Sequence, residues 1–265
     1  MRCHFCFNEG DVPKLSKEHL LSKPVATAFG VDRSAAFGLL GDPNELIVLP
    51  RLSDLSVRLV CEPCNNTWMN DLEHGMAALN GWCHGGDLPM TSSQVDALRS
   101  WCLKTYLVLS AMVGGTRRFA EDPEAPGVIP NFTRARQLYE RNPEAFEGMA
   151  FGAARTIEPN RFAYAFGNPT VIPTGPRHAN QKSAGLSIVT IGSLQVWTVD
   201  PTIFRAARIR FPDGVTTVAA GIRYRKMQTM PLVPRLEDAI VDNGDHDIVE
   251  LMEQAVAWAK AQSAE

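Results

Sequence analysis

Two short cysteine pairs constrain this chain more than any other feature: Cys3-His4-Phe5-Cys6 near its start and Cys61-Glu62-Pro63-Cys64 downstream. A Cys-x-x-Cys turn offers two thiolates from one loop, and two such turns complete the four tetrahedral ligands that structural zinc takes at ~2.3 Å. Their separation is no obstacle, because the entropy of closing a loop grows only slowly with its length. The alternatives are unpaired thiols or a redox dithiol; the latter needs one Cys-x-x-Cys inside a βαβ frame, and neither pair has that setting. The expectation is a structural zinc ion on Cys3, Cys6, Cys61 and Cys64, with His4 a bystander inside the first turn. Cys102 falls on an apolar helical stripe and is expected to be a small core residue, as is the unpaired Cys83.

The first cysteine pair stands where a signal peptide would carry its apolar segment. No apolar run approaches the ~20 residues that span a bilayer. An intracellular, cytoplasmic protein with no membrane contact is therefore expected, in which reduced thiols favour metal over disulfide. With 45% hydrophobic and 21% charged residues the chain belongs among folded globular proteins, not disordered ones. Its 265 residues suit one large domain or two modest ones. A formal net charge of -3 does not favour a general basic coat, so any contact with nucleic acid has to come from a local basic face.

Along the chain, residues 44–50 (NELIVLP) and 57–60 (VRLV) have strand character. A helix is expected from Asn65, directly after the second cysteine pair, with Trp68, Leu72 and Met76 on one face. Hydroxyl residues at 91–93 precede a second helix that carries Val95, Leu98, Cys102, Leu109 and Val113 at helical spacing; Gly114-Gly115 stops it. A stretch rich in Pro and acid, 121–130, has the composition of a linker, and a short helix is expected over 133–141. The remainder is β-rich, with strands over 161–166, 186–191 and 195–199. Segments 206–211 and 215–224 flank Pro212-Asp213-Gly214, a turn signal that predicts a hairpin. An amphipathic helix is expected over 248–261. The expected fold class is α+β: a zinc-stapled module with a bracing helix over residues 1–120, and a mixed β-rich domain of unassigned role over 121–265.

Between the cysteine pairs lies Lys17-Glu18-His19-Leu20, and Asn65 follows Cys64. Cys-x-x-Cys, then an acid–His pair, then Cys-x-x-Cys-Asn resembles the HNH (ββα-metal) endonuclease superfamily, particularly its zinc-bearing branch, which includes phage junction-resolving nucleases. The string CEPCNNTWMNDLE and the later WCLKTYLVLS are similar to those of HNH-like proteins from bacteria and phages. The resemblance covers about the first 115 residues. It implies a ββα unit with the acid–His pair on the first strand and the helix opening after the last cysteine. It further implies Glu18 as ligand of a catalytic divalent cation, His19 as general base and Asn65 as the second protein ligand. The activity implied is hydrolysis of DNA phosphodiester bonds.

The chemistry suits those residue types. Phosphodiester hydrolysis needs an activated water, which an imidazole titrating near pH 7 can supply. It also needs charge stabilised on the leaving oxygen, and hard oxygen ligands favour Mg2+ or Mn2+ for that task. Taken singly, Glu18-His19 reads as a surface pair and Asn65 as a helix N-cap; their placement between and after the two cysteine pairs favours the functional reading. The middle asparagine of many HNH proteins has no counterpart within VRLVCEPC; Asn44 is the nearest upstream. Glu73 is available as a further ligand, and His74 is expected to be a solvated helix residue.

For nucleic-acid contact, the expected hairpin would place Arg208 and Arg210 on one face of its first strand and Arg223 and Arg225 on one face of its second, a basic patch extended by Arg205 and Lys226; a solvated strand face is the alternative. Lys14, Lys17, Lys23 and Arg58 lie near the acid–His motif and are expected to contact the scissile strand. A nucleic-acid partner, DNA above all, follows from this reading. The C-terminal domain leaves a homodimer, or a protein or nucleotide partner that regulates the nuclease, as in a phage or defence system. The competing class is a non-catalytic zinc-built adaptor that binds nucleic acid or protein.

Overall fold

The computed structural model of the chain describes residues 3–7, 15–31, 36–40, 46–49, 56–85, 87–114, 129–156, 160–167, 170–171, 182–183, 185–200, 208–211, 213–230 and 240–242. The expected helix over 248–261 and most of the expected linker, along with Lys14, Asn44 and Arg205, lie outside them.

The protein is α+β with an N-terminal cluster of four cysteines. Strand β1 (Leu15–His19) pairs antiparallel with β4 (Ser56–Cys61) as a separate two-stranded ribbon. Helix α1 (Lys23–Ala28) and strands β2 (Ala36–Leu40) and β3 (Leu46–Leu49) lie between them in sequence. Strand β4 runs straight into one helical rod: α2 (Glu62–Cys64), a π turn (Asn65–Met69) and α3 (Asn70–His84). Pro63 stands in the first turn, where its missing N–H would have no intrahelical partner in any case.

Helix α4 (Ser92–Gly114) is the longest helix among the described residues. Thr91 Oγ1 accepts from the Gln94 amide at 3.3 Å while Gln94 Oε1 accepts from the Thr91 amide at 2.8 Å, a reciprocal capping box that starts the helix where the hydroxyl residues predict. Residues 101–111 are all buried, as expected of a helix covered on every side. Helix α4 packs against α3, against α5 (Ile129–Tyr139), and against strands of the main sheet. Cys102 on α4 and Cys83 on α3 are buried core residues, as their settings in sequence predict.

The main sheet comprises β5 (Ala150–Thr156), β6 (Phe162–Gly167), β9 (Gly185–Ile191), β10 (Leu194–Asp200), β12 (Thr216–Thr217) and β13 (Thr229–Met230), together with β2 and β3. Among the described residues it has eight strands in the order β12-β5-β10-β9-β6-β2-β3, with β13 beside β5. All seven residues of β10 are buried, the pattern of a central strand covered on both faces. Short β7 (Thr170–Val171) pairs with β8 (Lys182–Ser183). Segments from both sides of residue 120 are interleaved. Strands β2 and β3 continue the sheet through a parallel pairing of β2 with β6, and α5 packs back on α4.

Among the described residues, the hairpin expected around Pro212 does not form. Strand β11 (Arg208–Arg210) pairs instead with β14 (Ile240–Asp242), β12 pairs with β5, and Tyr224–Lys226 is a 3-10 turn. The turn signal itself is real, since Gly214 takes φ +103°. Two things divert the chain after it. Val215-Thr-Thr-Val-Ala-Ala-Gly lacks sustained alternation, and Gly152 on β5 admits the close approach of this segment. A Cβ on Gly152 would lie 2.5 Å from Val215 Cγ1.

Candidate functional site

The four cysteine sulfurs are buried and lie within 4.8 Å of one another, able to hold one metal ion such as zinc. The two turns meet because the first docks on the strand that leads to the second: the His4 amide donates to Leu59 O at 2.9 Å. Phe7 closes the first turn in the left-handed region at φ 55°, its amide donating to Cys3 O at 3.3 Å. Cys6 Sγ lies 3.6 Å from Cys61 Sγ, and the Cys61 amide donates to Cys3 Sγ at 3.4 Å.

A hydrogen bond with Cys64 pulls the Cys3 thiol down to about 4 against the opposing effect of burial, and the amides of Cys6, Cys61 and Phe5 add to the lowering. Cys61 is pushed up to about 11, chiefly by burial, and Cys64 is pushed up by its bond to Cys3. Metal binding to such a cluster takes the thiolate form of each ligand and releases its protons.

Helix α5 clamps this centre from outside. Arg136 Nη1 donates to Cys6 O at 2.8 Å, and the Phe132 ring lies 4.7 Å from the His4 ring and 5.2 Å from that of Phe7. Trp68, from the π turn, bridges Phe5 at 5.3 Å and Tyr139 at 6.0 Å. His4 sits within this aromatic packing, and burial pushes its imidazole down to about 4, so it is neutral near pH 7.

Strand alternation sorts the acid–His segment onto two faces. Lys17 is exposed, Glu18 is buried, and His19 is half-buried at the end of β1. The Lys17 register partner across the ribbon is Arg58, also exposed. Two cations therefore face solvent directly opposite each other, on the strand face that includes His19. Asn65 is the first residue of the π turn, and its Nδ2 donates to Ser16 Oγ at 3.0 Å and to Lys17 O at 3.2 Å. The helix start is thereby tied to the peptide immediately before Glu18. Extra-wide helical turns of this kind are frequent at functional sites.

Glu18 points inward. Its Oε1 accepts from Lys104 Nζ at 2.6 Å, and the same ammonium donates to Glu73 Oε1 at 3.2 Å. Lys104 is fully enclosed, Glu18 is 2% exposed and Glu73 13%. Burial lowers the lysine's affinity for its proton, but the two carboxylates outweigh that and hold its pKa above the usual range. The ammonium thus stands between two carboxylates, in the way a bound cation would.

Of the other sequence candidates, Lys23 and His74 are exposed, His74 on α3 as expected. Arg223 and Arg225 are exposed at the 3-10 turn, with Arg223 Nη1 donating to Asp87 Oδ2 at 3.0 Å. The backbone of Arg208 and Arg210 lies in β11, paired away from them. The arginines expected on one hairpin are thus on different elements. Three contributors escaped the sequence reading: Lys104, Glu73 as its second partner, and Arg136. A lysine inside the apolar run WCLKTYLVLS was the available signal, since a charge on a helix buried all round requires a partner.

Neither protein-family models nor curated proteins nor solved structures give a match to this chain.

Proposed function

We propose that this chain is an HNH-type, metal-dependent endonuclease acting on DNA. The observation that carries the reading is the junction of β1 with the helix that leaves the four-cysteine centre. The Asn65 side-chain amide, at the start of that helix, donates to Lys17 O, one residue before Glu18-His19 on β1, while the Glu18 and His19 side chains leave that strand on opposite faces. The chain order, strand, strand, then helix after the last cysteine, agrees with the one that the sequence resemblance implies and supports the reading.

The donors fit a hard divalent cation. Glu18 already holds a positive charge at 2.6 Å, and the carboxylate and amide oxygens of Glu18 and Asn65 suit Mg2+ or Mn2+. When bound, that ion supplies Lewis-acid stabilisation of the leaving oxygen. His19, at the open end of β1, takes the proton of the attacking water. Lys17 and Arg58 hold the phosphates of the scissile strand. Like charges directly opposite in a ribbon repel each other, and a phosphodiester between them removes that cost. Zinc on the four cysteines fixes the angle between the ribbon and the helix and takes no part in proton transfer.

A second reading, a non-catalytic zinc-built nucleic-acid or protein adaptor, has one observation in its favour: the Glu18 carboxylate is already committed to Lys104. Nicking of supercoiled plasmid by zinc-loaded protein, with and without Mg2+ or Mn2+, separates the two. The nuclease reading expects metal-dependent nicking that falls by ~100-fold or more in His19→Ala, the scale of a lost general base. A folded wild-type protein inert on duplex, branched and single-stranded DNA would leave the adaptor.

A further inference from the structure

The ion triad behind β1 has a feature that packing alone does not require. Helix α4 could have presented leucine to this interior, yet it places the fully enclosed Lys104 between Glu18 and Glu73. A buried ammonium is tolerated only when paired and hydrogen-bonded. Here its partners come from two other elements, the first strand and α3. Two carboxylates that share one nitrogen also lie close enough to each other to repel strongly once that nitrogen is removed.

We propose that Lys104 is a positioning residue for Glu18 and the resident cation of a two-carboxylate site, so that a divalent cation taken up by Glu18 enters in competition with the Lys104 ammonium. The proposal rests on Glu18 being a ligand in the nuclease reading. With no divalent cation bound, Lys104 keeps the Glu18 carboxylate oriented and out of solvent, and Glu73 holds Lys104 in place. On uptake of the cation, Glu18 turns part of its charge to the ion while Glu73 retains Lys104. The site therefore holds a divalent cation more weakly than a bare carboxylate pair would, and Lys104 sets the metal concentration at which it fills.

The test is Mn2+ binding to zinc-loaded protein, read from the loss of the free-ion signal in electron paramagnetic resonance. Lys104→Met leaves two carboxylates with no internal cation and is expected to bind Mn2+ about tenfold more tightly, or better, than wild type, since each opposing charge removed is worth at least that factor at this range. The double variant Lys104→Met with Glu73→Gln avoids the repulsion that could unfold the single one, and it too is expected to bind more tightly than wild type. Adding Glu18→Gln to the double variant is expected to abolish the gain. A lysine with a purely architectural role predicts equal or weaker binding in folded variants, and that result overturns the proposal. Wild-type protein that nicks no DNA, alongside tighter Mn2+ binding in both variants, would remove the nuclease reading and leave the cation competition standing. Nicking by wild type with Mn2+ affinity unchanged in the variants would remove the competition alone.

Discussion

Lys104 Nζ lies 2.6 Å from Glu18 Oε1, and both side chains are withdrawn from solvent. The pair joins the middle of α4 to the strand that carries the acid–His motif. Breaking such a pair from one side costs about 3–5 kcal/mol, because the charge left behind is buried without a partner. Lys104→Met is expected to lose stability on that scale in urea unfolding. Replacing all three members by neutral residues (Lys104→Met with Glu18→Gln and Glu73→Gln) is expected to recover most of it. A Lys104→Met protein within ~1 kcal/mol of wild type would mean that the triad is solvated in solution.

The four-cysteine centre is expected to carry about one zinc per chain, the stoichiometry of a closed tetrahedral site. Structural zinc in small modules is worth an apparent ~10–16 kcal/mol at pH 7, comparable with the whole stability of a domain. Cys61→Ser or a strong chelator is therefore expected to release the metal and red-shift tryptophan emission as Trp68 loses its packing against Phe5 and Tyr139. Cys102→Ala is the control: Cys102 lies on α4, outside the cluster, and that variant should keep its zinc.

Asn65→Ala removes two donated hydrogen bonds, to Ser16 Oγ and Lys17 O. The expected loss is about 1–2 kcal/mol, each bond contributing roughly 1 kcal/mol net. Faster hydrogen exchange of the β1 amides should accompany it. Zinc content should stay unchanged, since Asn65 contributes no sulfur ligand. Loss of zinc instead would show that the tie to β1 holds the cluster itself together.

Alkaline pH should destabilise the fold. Burial pushes the thiols of Cys83 and Cys102 up to about 12 from an unfolded value of 9.0. Between those values the unfolded chain gives up protons that the folded chain retains, so stability falls as pH rises through that window. The cost is about 1 kcal/mol per pH unit for each thiol. Lys104 acts in the same direction: its raised pKa contributes stability that is complete below 10.5 and is lost above it. Chemical denaturation at pH 8, 10 and 11 checks this, and Cys102→Ala should flatten the fall. A flat profile would mean that these groups are open to water.

The four-cysteine cluster was legible from spacing, because a Cys-x-x-Cys turn is a complete local device and needs only a partner turn. The start of α4 was legible for a similar reason, since Thr91 and Gln94 cap it within three residues of each other. The Pro212 hairpin was misread because its turn signal is local while strand pairing is not. Gly214 makes the turn, but β5 and β14 supply the partners. The arginines expected to line one ribbon were separated by that choice.

No pattern in sequence announced the parallel pairing of β2 with β6, which joins an early segment to the later sheet; its partners lie more than a hundred residues apart, and each short strand alone could have paired elsewhere. The sequence by itself determined that four cysteines would act together and that α4 would be a helix with an apolar stripe, because ligand spacing and apolar periodicity are properties of short stretches. Only the tertiary structure decided that Lys104 would meet Glu18 and Glu73, and that α5 would place Arg136 on the Cys6 carbonyl. Those contacts depend on which faces of distant elements are brought together, and charge partners at that range leave no periodicity in the chain to read.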